Sequence, residues 1–258
     1  MKNTFFFGQL KSRNSRLYYF TIINLLGVLL CLLLTQLNQT QVLGISAWIK
    51  PLKFFLSTAI FCATMGLLTG YLFERRKVAI YNWVVIFVFV FENSYIFIQA
   101  MRGEKSHFNV STLFTSMMFL MMGLAITVMT LWTAYIGYLF WKNSFPELSI
   151  NYLWGIRFGI LFFVVFAFVG QIMAAMLKHT VGAPDGGPGL PFVNWSLHYG
   201  DLRIAHFFGM HALQLLPLAG CYFSKNKQTI FLIAFFYFLF LSALFTQAMM
   251  SLPLLGVP

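Results

Sequence analysis

Seven stretches of this chain are almost wholly apolar, and the polar residues gather between them. The stretches cover Leu17–Gln36, Phe54–Phe73, Ala79–Ala100, Leu113–Trp141, Leu153–Leu177, Ile204–Phe223 and Thr229–Leu255. An α-helix needs about 20 apolar residues to cross the hydrocarbon core of a bilayer. No water is present there to satisfy a bare backbone, so runs of this kind read as helices. The fourth and seventh are long enough to need tilt or extension beyond the bilayer. The expected fold is all-α: a polytopic membrane helix bundle of seven spans. Residues 1–16 form a basic tail, and 17–258 form a single transmembrane domain.

Composition agrees with this pattern. Of 258 residues, 60% are hydrophobic and 9% charged, against about 25% charged in a soluble domain. A net charge of +11 would point to nucleic acid in a soluble protein. Here topology accounts for most of it, and no nucleic-acid partner is expected. With the N-terminus cytoplasmic, eleven of the 17 Lys and Arg residues fall on inner segments and six on outer ones, as the positive-inside bias requires. The C-terminus is then outside. Trp83, Trp141 and Trp154 fall at inner ends and Trp48 at an outer end, where interfacial anchors belong. The first span is too long for a signal-peptide core and lacks an obvious cleavage site, so it reads as retained.

The outer loops carry the chemistry. The longest, 178–203, reads KHTVGAPDGGPGLPFVNWSLHYGDLR; its Gly and Pro residues force turns, and it is expected to form an ordered cap. All five histidines, His107, His179, His198, His206 and His211, lie in or just beneath these loops. Histidine titrates near neutral pH and is the commonest metal ligand.

Glu92 is the only acid inside a span, and an ionisable group there is a functional hypothesis by default. Glu92, Tyr95, Gln99 and Arg102 are spaced three and four apart, which makes one polar stripe on a helix. The alternative is a structural pair with a lysine or histidine of another helix. His206 and His211 are five apart, about 140° around a helix axis, so they cannot address one ion from the same face. Gln214 extends the face of His211. Arg203 opposes the dipole of a helix N-terminus and calls for an anion: Asp185, Asp201 or a ligand. Asp201 also stands where an N-cap of the sixth span would stand. The segment RGEKSHFN, 102–109, reads otherwise as a polar turn, with Asn109 or Ser111 capping the fourth span. Lys50 and Lys53 flank Pro51 at the mouth of the second span. One snorkels to headgroups; the other is a partner for Glu92.

The candidate site follows. Glu92, His211 and Asp201 are the catalytic candidates. Arg203, Arg102, Lys53, Gln99, Gln214 and Asn109 are the substrate-binding candidates. His107, His179, His206 and His211 are the metal-ligand candidates, for zinc, copper or iron. Methionines near the outer side would suit copper(I). Haem is the weaker fit, because only the sixth span contains histidine. The GxxxG pairs Gly66/Gly70 and Gly155/Gly159 are signals for close helix packing.

The strings WIKPLKF, ENSYIFIQAMRGEKSHFN, HTVGAPDGGPGLPFVNWS and GDLRIAHFFGMHALQLLPL, between Trp48 and Leu218, resemble those of a group of bacterial polytopic membrane proteins with no assigned activity. That resemblance implies a bacterial cytoplasmic (inner) membrane and lends no catalytic residues. Seven spans with this orientation are also similar in architecture to the ceramidase and adiponectin-receptor superfamily of membrane zinc hydrolases. Those pair their last two ligand histidines four apart, against five here.

The leading expectation is a membrane-embedded enzyme, a hydrolase or oxidoreductase acting on a lipid or quinone-like substrate entering from the outer leaflet. A transporter or proton-coupled channel is the first alternative. A non-catalytic partner or assembly subunit is the second. The sequence leaves the oligomeric state open.

Overall fold

A computed structural model, describing residues 6–255, is all-helical apart from short hairpin-like pairings. The chain is an integral membrane protein: seven helices are long and apolar enough to cross a membrane, at Ser15–Leu37, Ile49–Thr69, Arg75–Met101, Leu113–Lys142, Ile150–Met176, Leu202–Tyr222 and Lys227–Met249. We label these α2, α3, α4, α5, α6–α7, α8 and α9. The fifth is interrupted, with α6 covering Ile150–Ala167 and α7 covering Val169–Met176. A short helix α1, Phe6–Arg13, lies within the basic N-terminal segment. Large apolar side chains stand exposed along the spans, among them Leu29, Leu120 and Phe236. Water would not tolerate so much exposed apolar surface; lipid does.

Each expected span is present, with shifted ends. The second begins at Ile49, not Phe54. The reason is Pro51, which fits the first turn of a helix because its missing N–H would have had no intrahelical acceptor there. Lys50 and Lys53 therefore belong to the helix. The seventh ends at Met249, not Leu255: Ser251 adopts a left-handed φ of 62°, and Pro253 follows. The fourth span is capped neither by Asn109 nor by Ser111. Asn109 Oδ1 instead accepts from the Ser111 amide and hydroxyl. Thr112 Oγ1 accepts from the Thr115 amide at 3.1 Å while Thr115 Oγ1 accepts from the Thr112 amide, a reciprocal cap.

The chain divides into two compact units, one ending at Trp132 and the other beginning at Thr133. In the first, α2, α3 and α4 are joined by two polar rungs. Asn14 caps α2, accepting from the Leu17 amide. Its Nδ2 donates to Thr69 Oγ1 and Asn82 Oδ1, and Asn82 Nδ2 donates back to Asn14 Oδ1. The second rung has Asn93 Nδ2 donating to Asn24 Oδ1 and Thr58 Oγ1. The rung residues are ten or eleven apart on each helix, about 15 Å along the axis. That matched spacing registers α2 and α4 side by side in the same direction, with α3 antiparallel between them. Gly66 and Gly70 let α1 and the start of α2 approach: a Cβ at Gly66 would stand 2.5 Å from Leu10 Cδ1, and one at Gly70 2.7 Å from Arg13 Cβ. Between α2 and α3 a two-residue ladder pairs β1, Gln41–Val42, with β2, Ile45–Ser46.

The second unit packs α6 on α8. Gly155 and Gly159 face the α8 backbone; a Cβ at Gly159 would lie 2.9 Å from the Ala212 carbonyl oxygen and 3.1 Å from Pro217 Cδ. The expected close packing at this GxxxG is thus made against the stretch around Pro217, itself buried inside α8. The cap 178–203 is closed at its base by β3, Thr180–Val181, antiparallel to β4, Gly200–Asp201, and at its tip by a bridge between Gly189 and Ser196.

Candidate functional site

In the first unit three of the four stripe residues are buried on α4, while Arg102 is the exposed C-cap residue. Glu92 is 4%, Tyr95 7% and Gln99 1% exposed. Three polar atoms on this face have no hydrogen-bond partner among the described residues: Glu92 Oε1, the Tyr95 hydroxyl and Gln99 Oε1. Around Tyr95 the surroundings are apolar. Tyr95 and Ile96 pack with Met122, Phe54, Phe91 and Met118. Burying polar atoms without partners costs on the order of 1–3 kcal/mol each, so native proteins seldom leave several on one face.

The loop after α4 closes over this face. Gln99 Nε2 donates to Glu104 Oε2 and to the Lys105 carbonyl, and Asn109 Nδ2 donates to the same carbonyl. Gly103 at φ 67° and Phe108 at φ 57° turn the chain back. His107 comes to rest with its ring 5.4 Å from Phe54 and 6.1 Å from Phe119, and its Nδ1 3.2 Å from Ser106 Oγ. Arg102 stays at the surface, paired with Glu104 at 3.0 Å. Lys53 is partly buried in the first turn of α3.

The cap of the second unit is held by two carboxylates, Asp201 buried and Asp185 partly buried. Asp201 is the N-cap of α8, 1% exposed. It accepts from the amides of Ser196 and Arg203 and from Arg203 Nε and Nη2, the last at 2.6 Å. Arg203 Nη2 also donates to the Asn194 carbonyl. The anion that Arg203 required is therefore Asp201, and this carboxylate is engaged in cap geometry. Asp185 accepts from the amides of His179 and Thr180 and meets His179 Nδ1 at 3.0 Å. Burial alone would raise the Asp185 carboxyl, but these bonds and the His179 charge hold it well below the usual carboxylate range. Burial pushes His179 below the usual imidazole range against the pull of Asp185. A cavity of about 50 Å³ lies here, lined by His179, Asn194, Ser196, His198, Tyr199 and Arg203 among others. Ligand sites for drug-sized molecules run to roughly 300–1,000 Å³; this one has room for only a few water-sized molecules.

His206 and His211 make separate contacts on α8. His206 Nδ1 donates to the Phe166 carbonyl at 2.8 Å, just before α6 gives way to α7, and a Cβ at Gly170 would lie 3.3 Å from its Cε1. A neutral ring so held keeps Nε2 as an acceptor. His211 meets Gln214 Oε1 at 3.3 Å and Phe207 at 4.4 Å between rings. Among the described residues, no three His, Cys, Asp or Glu side chains form a group that could hold a metal ion. The histidines that share a region of sequence are thus each committed to other neighbours.

Sequence reasoning passed over the asparagine rungs. The signal was there: Asn14, Asn24, Asn82 and Asn93 are amides in or beside apolar runs, and a polar side chain in a span needs a partner. Comparison with known proteins adds no further guide, because no family, curated protein or solved structure matches the chain.

Proposed function

We propose that this membrane protein binds a lipid or quinone-like amphiphile against the Glu92 face of α4 and performs proton chemistry on it. The supporting observation is the trio of buried, unpartnered atoms on Glu92, Tyr95 and Gln99, in a setting of Phe and Met side chains. An amphiphile with a polar head would satisfy those atoms while its apolar body packs on Phe54, Met118 and Met122. Glu92 is the proton acceptor, and the reaction class is hydrolysis, with water giving its proton to Glu92 and its hydroxide to the lipid, or oxidation of a quinol whose two electrons leave to a separate acceptor. The RGEKSHFN loop with His107 covers the head. No metal is needed for this reading. Residence in a bacterial cytoplasmic membrane with the N-terminus inside, and membership of the resembled bacterial group, go with it.

The test is Glu92→Gln, which keeps shape and removes the proton, alongside Tyr95→Phe. Organic extraction and mass spectrometry of protein purified from membranes would find an amphiphile retained by the parent. It should be reduced at least tenfold in both variants, with unfolding temperature little changed. Equal retention in all three, with lowered thermal stability in the variants, would make the stripe purely structural.

A transporter is the second reading, favoured by the interrupted span at Phe168 with His206 beside it, since discontinuous helices mark many transport sites. Loss of proton-coupled uptake in liposomes on His206→Phe, with Glu92→Gln silent, would select it.

A further inference from the structure

We propose that the second unit carries a site for the phosphate of an anionic phospholipid, where α6 and α9 begin and α8 ends. It is independent of the Glu92 reading. Its centre is Trp154. The guanidinium of Arg157 lies 4.8 Å from the Trp154 ring and 5.4 Å from that of Trp141. The ammonium of Lys227 lies 5.1 Å from the same Trp154 ring and 5.4 Å from Phe231. Two cations thus share one indole.

Neither cation has a carboxylate partner among the described residues. Among the described residues Arg157 makes a single hydrogen bond, Nε to the Phe140 carbonyl at 2.9 Å, near the end of α5, which leaves the outer nitrogens of its guanidinium for another acceptor. Glu147, the sole acid of the loop between α5 and α6, is exposed and pairs with neither cation. Arg157 is the eighth residue of α6, about 10 Å inside the helix end. A cation at that depth is a functional feature by default. The indole N–H of Trp154 and the hydroxyl of Ser224 are buried with no hydrogen-bond partner. Ser224 is fixed beside α6 by the Asn151 amide, which donates to its carbonyl at 2.9 Å.

The set is therefore two positive charges and two unused donors, with one unused neutral acceptor, Asn151 Oδ1, beside them, and what it lacks is an anion rich in oxygen. Phosphate supplies it, and Arg matches phosphate geometry closely. The flanks decide between a free ion and a lipid. Trp141, Phe231 and the exposed Tyr222 and Phe223 give acyl chains and glycerol an apolar wall. Basic clusters between spans at a membrane boundary take anionic headgroups on the same grounds.

The test uses the full chain, stripped of lipid in an uncharged detergent and followed by thermal unfolding. Phosphatidylglycerol should raise the unfolding temperature, whereas phosphatidylcholine and inorganic phosphate at the same concentration should not. Arg157→Gln also strips a cap from α5, so two milder variants carry the argument. Lys227→Gln should weaken the phosphatidylglycerol effect about fivefold in concentration, the size expected for one lost cation near a surface. Trp154→Phe, which keeps a ring and removes the N–H, should weaken it too. An equal response to phosphatidylcholine overturns the proposal, as does full stabilisation by inorganic phosphate. So does an undiminished phosphatidylglycerol response in both variants.

Discussion

The two asparagine rungs make a quantitative prediction, because they differ in the number of bonds they hold. Asn14 takes part in three side-chain bonds to α3 and α4 and also caps α2. Asn93 makes two bonds and leaves its Oδ1 without a partner. Measured interhelical hydrogen bonds in a membrane protein average about 0.6 kcal/mol, and loss of an N-cap costs about 1 kcal/mol. On those figures Asn14→Ala should destabilise the first unit by about 3 kcal/mol and Asn93→Ala by about 1 kcal/mol. The ratio matters more than either value. Asn82, stripped of Asn14, would also keep both amide atoms buried with nothing to bond. The assay is reversible unfolding in mixed micelles with increasing denaturing detergent, read by tryptophan fluorescence and circular dichroism. Equal costs for the two variants, or a larger cost at Asn93, would refute the idea that the rungs act through counted hydrogen bonds.

Further outcomes follow from the second unit. Gly159→Leu should destabilise it by about 1–3 kcal/mol, the usual cost of overpacking, because the new side chain meets the Ala212 carbonyl and the Pro217 ring of α8; a neutral result in the same unfolding assay would contradict the close approach. The cap should loosen in two steps on acidification, measured by hydrogen exchange at the His179 and Thr180 amides. The folded-state titration of His179 is lowered, so its contribution is present above an unfolded pKa near 6.5 and falls as pH drops below it. Asp185 is also lowered, so its contribution is complete above about pH 4 and is lost below that. Asp185→Asn should abolish the second step, and a cap equally protected in that variant would count against the pair.

Hydropathy carried the seven spans because lipid enforces one rule on every residue of a run: the backbone must bond to itself and the side chains must be apolar. The ends moved where local chemistry outweighed hydropathy, at Pro51 and at Ser251. The two GxxxG pairs were legible for a related reason, since only glycine admits the contacts at Gly66 and Gly159. The stripe of Glu92, Tyr95 and Gln99 was readable because helical periodicity fixes a face. The grouping of histidines was a different kind of inference. It rested on shared depth along the sequence, and depth does not set rotation about a helix or the partner that a ring finds. His206 finds the Phe166 carbonyl, His179 finds Asp185, and His107 finds Phe54. Arg203 was read correctly as needing an anion, but periodicity could not choose between Asp201 two residues away and a ligand.

Most polar groups inside this protein fall into two kinds, with Asn93, a rung residue whose Oδ1 stays unpartnered, standing between them. Asn14, Asn82, Asp185 and Asp201 have their bonding capacity taken up by named neighbours, so removing one breaks a known set of bonds and registers as stability. Glu92, Tyr95 and Gln99 on α4, and Trp154 with Arg157 and Lys227 in the second unit, have capacity that no described neighbour uses. A buried donor or acceptor left open is costly, and selection for stability alone would replace it with an apolar side chain of similar size. Open capacity gathers in two groups, one lacking a donor for a carboxylate and the other lacking an anion for cations, and the two proposed ligands would complete them. The two deficits are opposite in sign. An acidic site in an apolar setting calls for a neutral or protic head, and a cationic one calls for phosphate. A ligand that satisfied both sites equally would contradict this division, and competition between phosphatidylglycerol and the amphiphile retained at Glu92 is the measurement that would expose it.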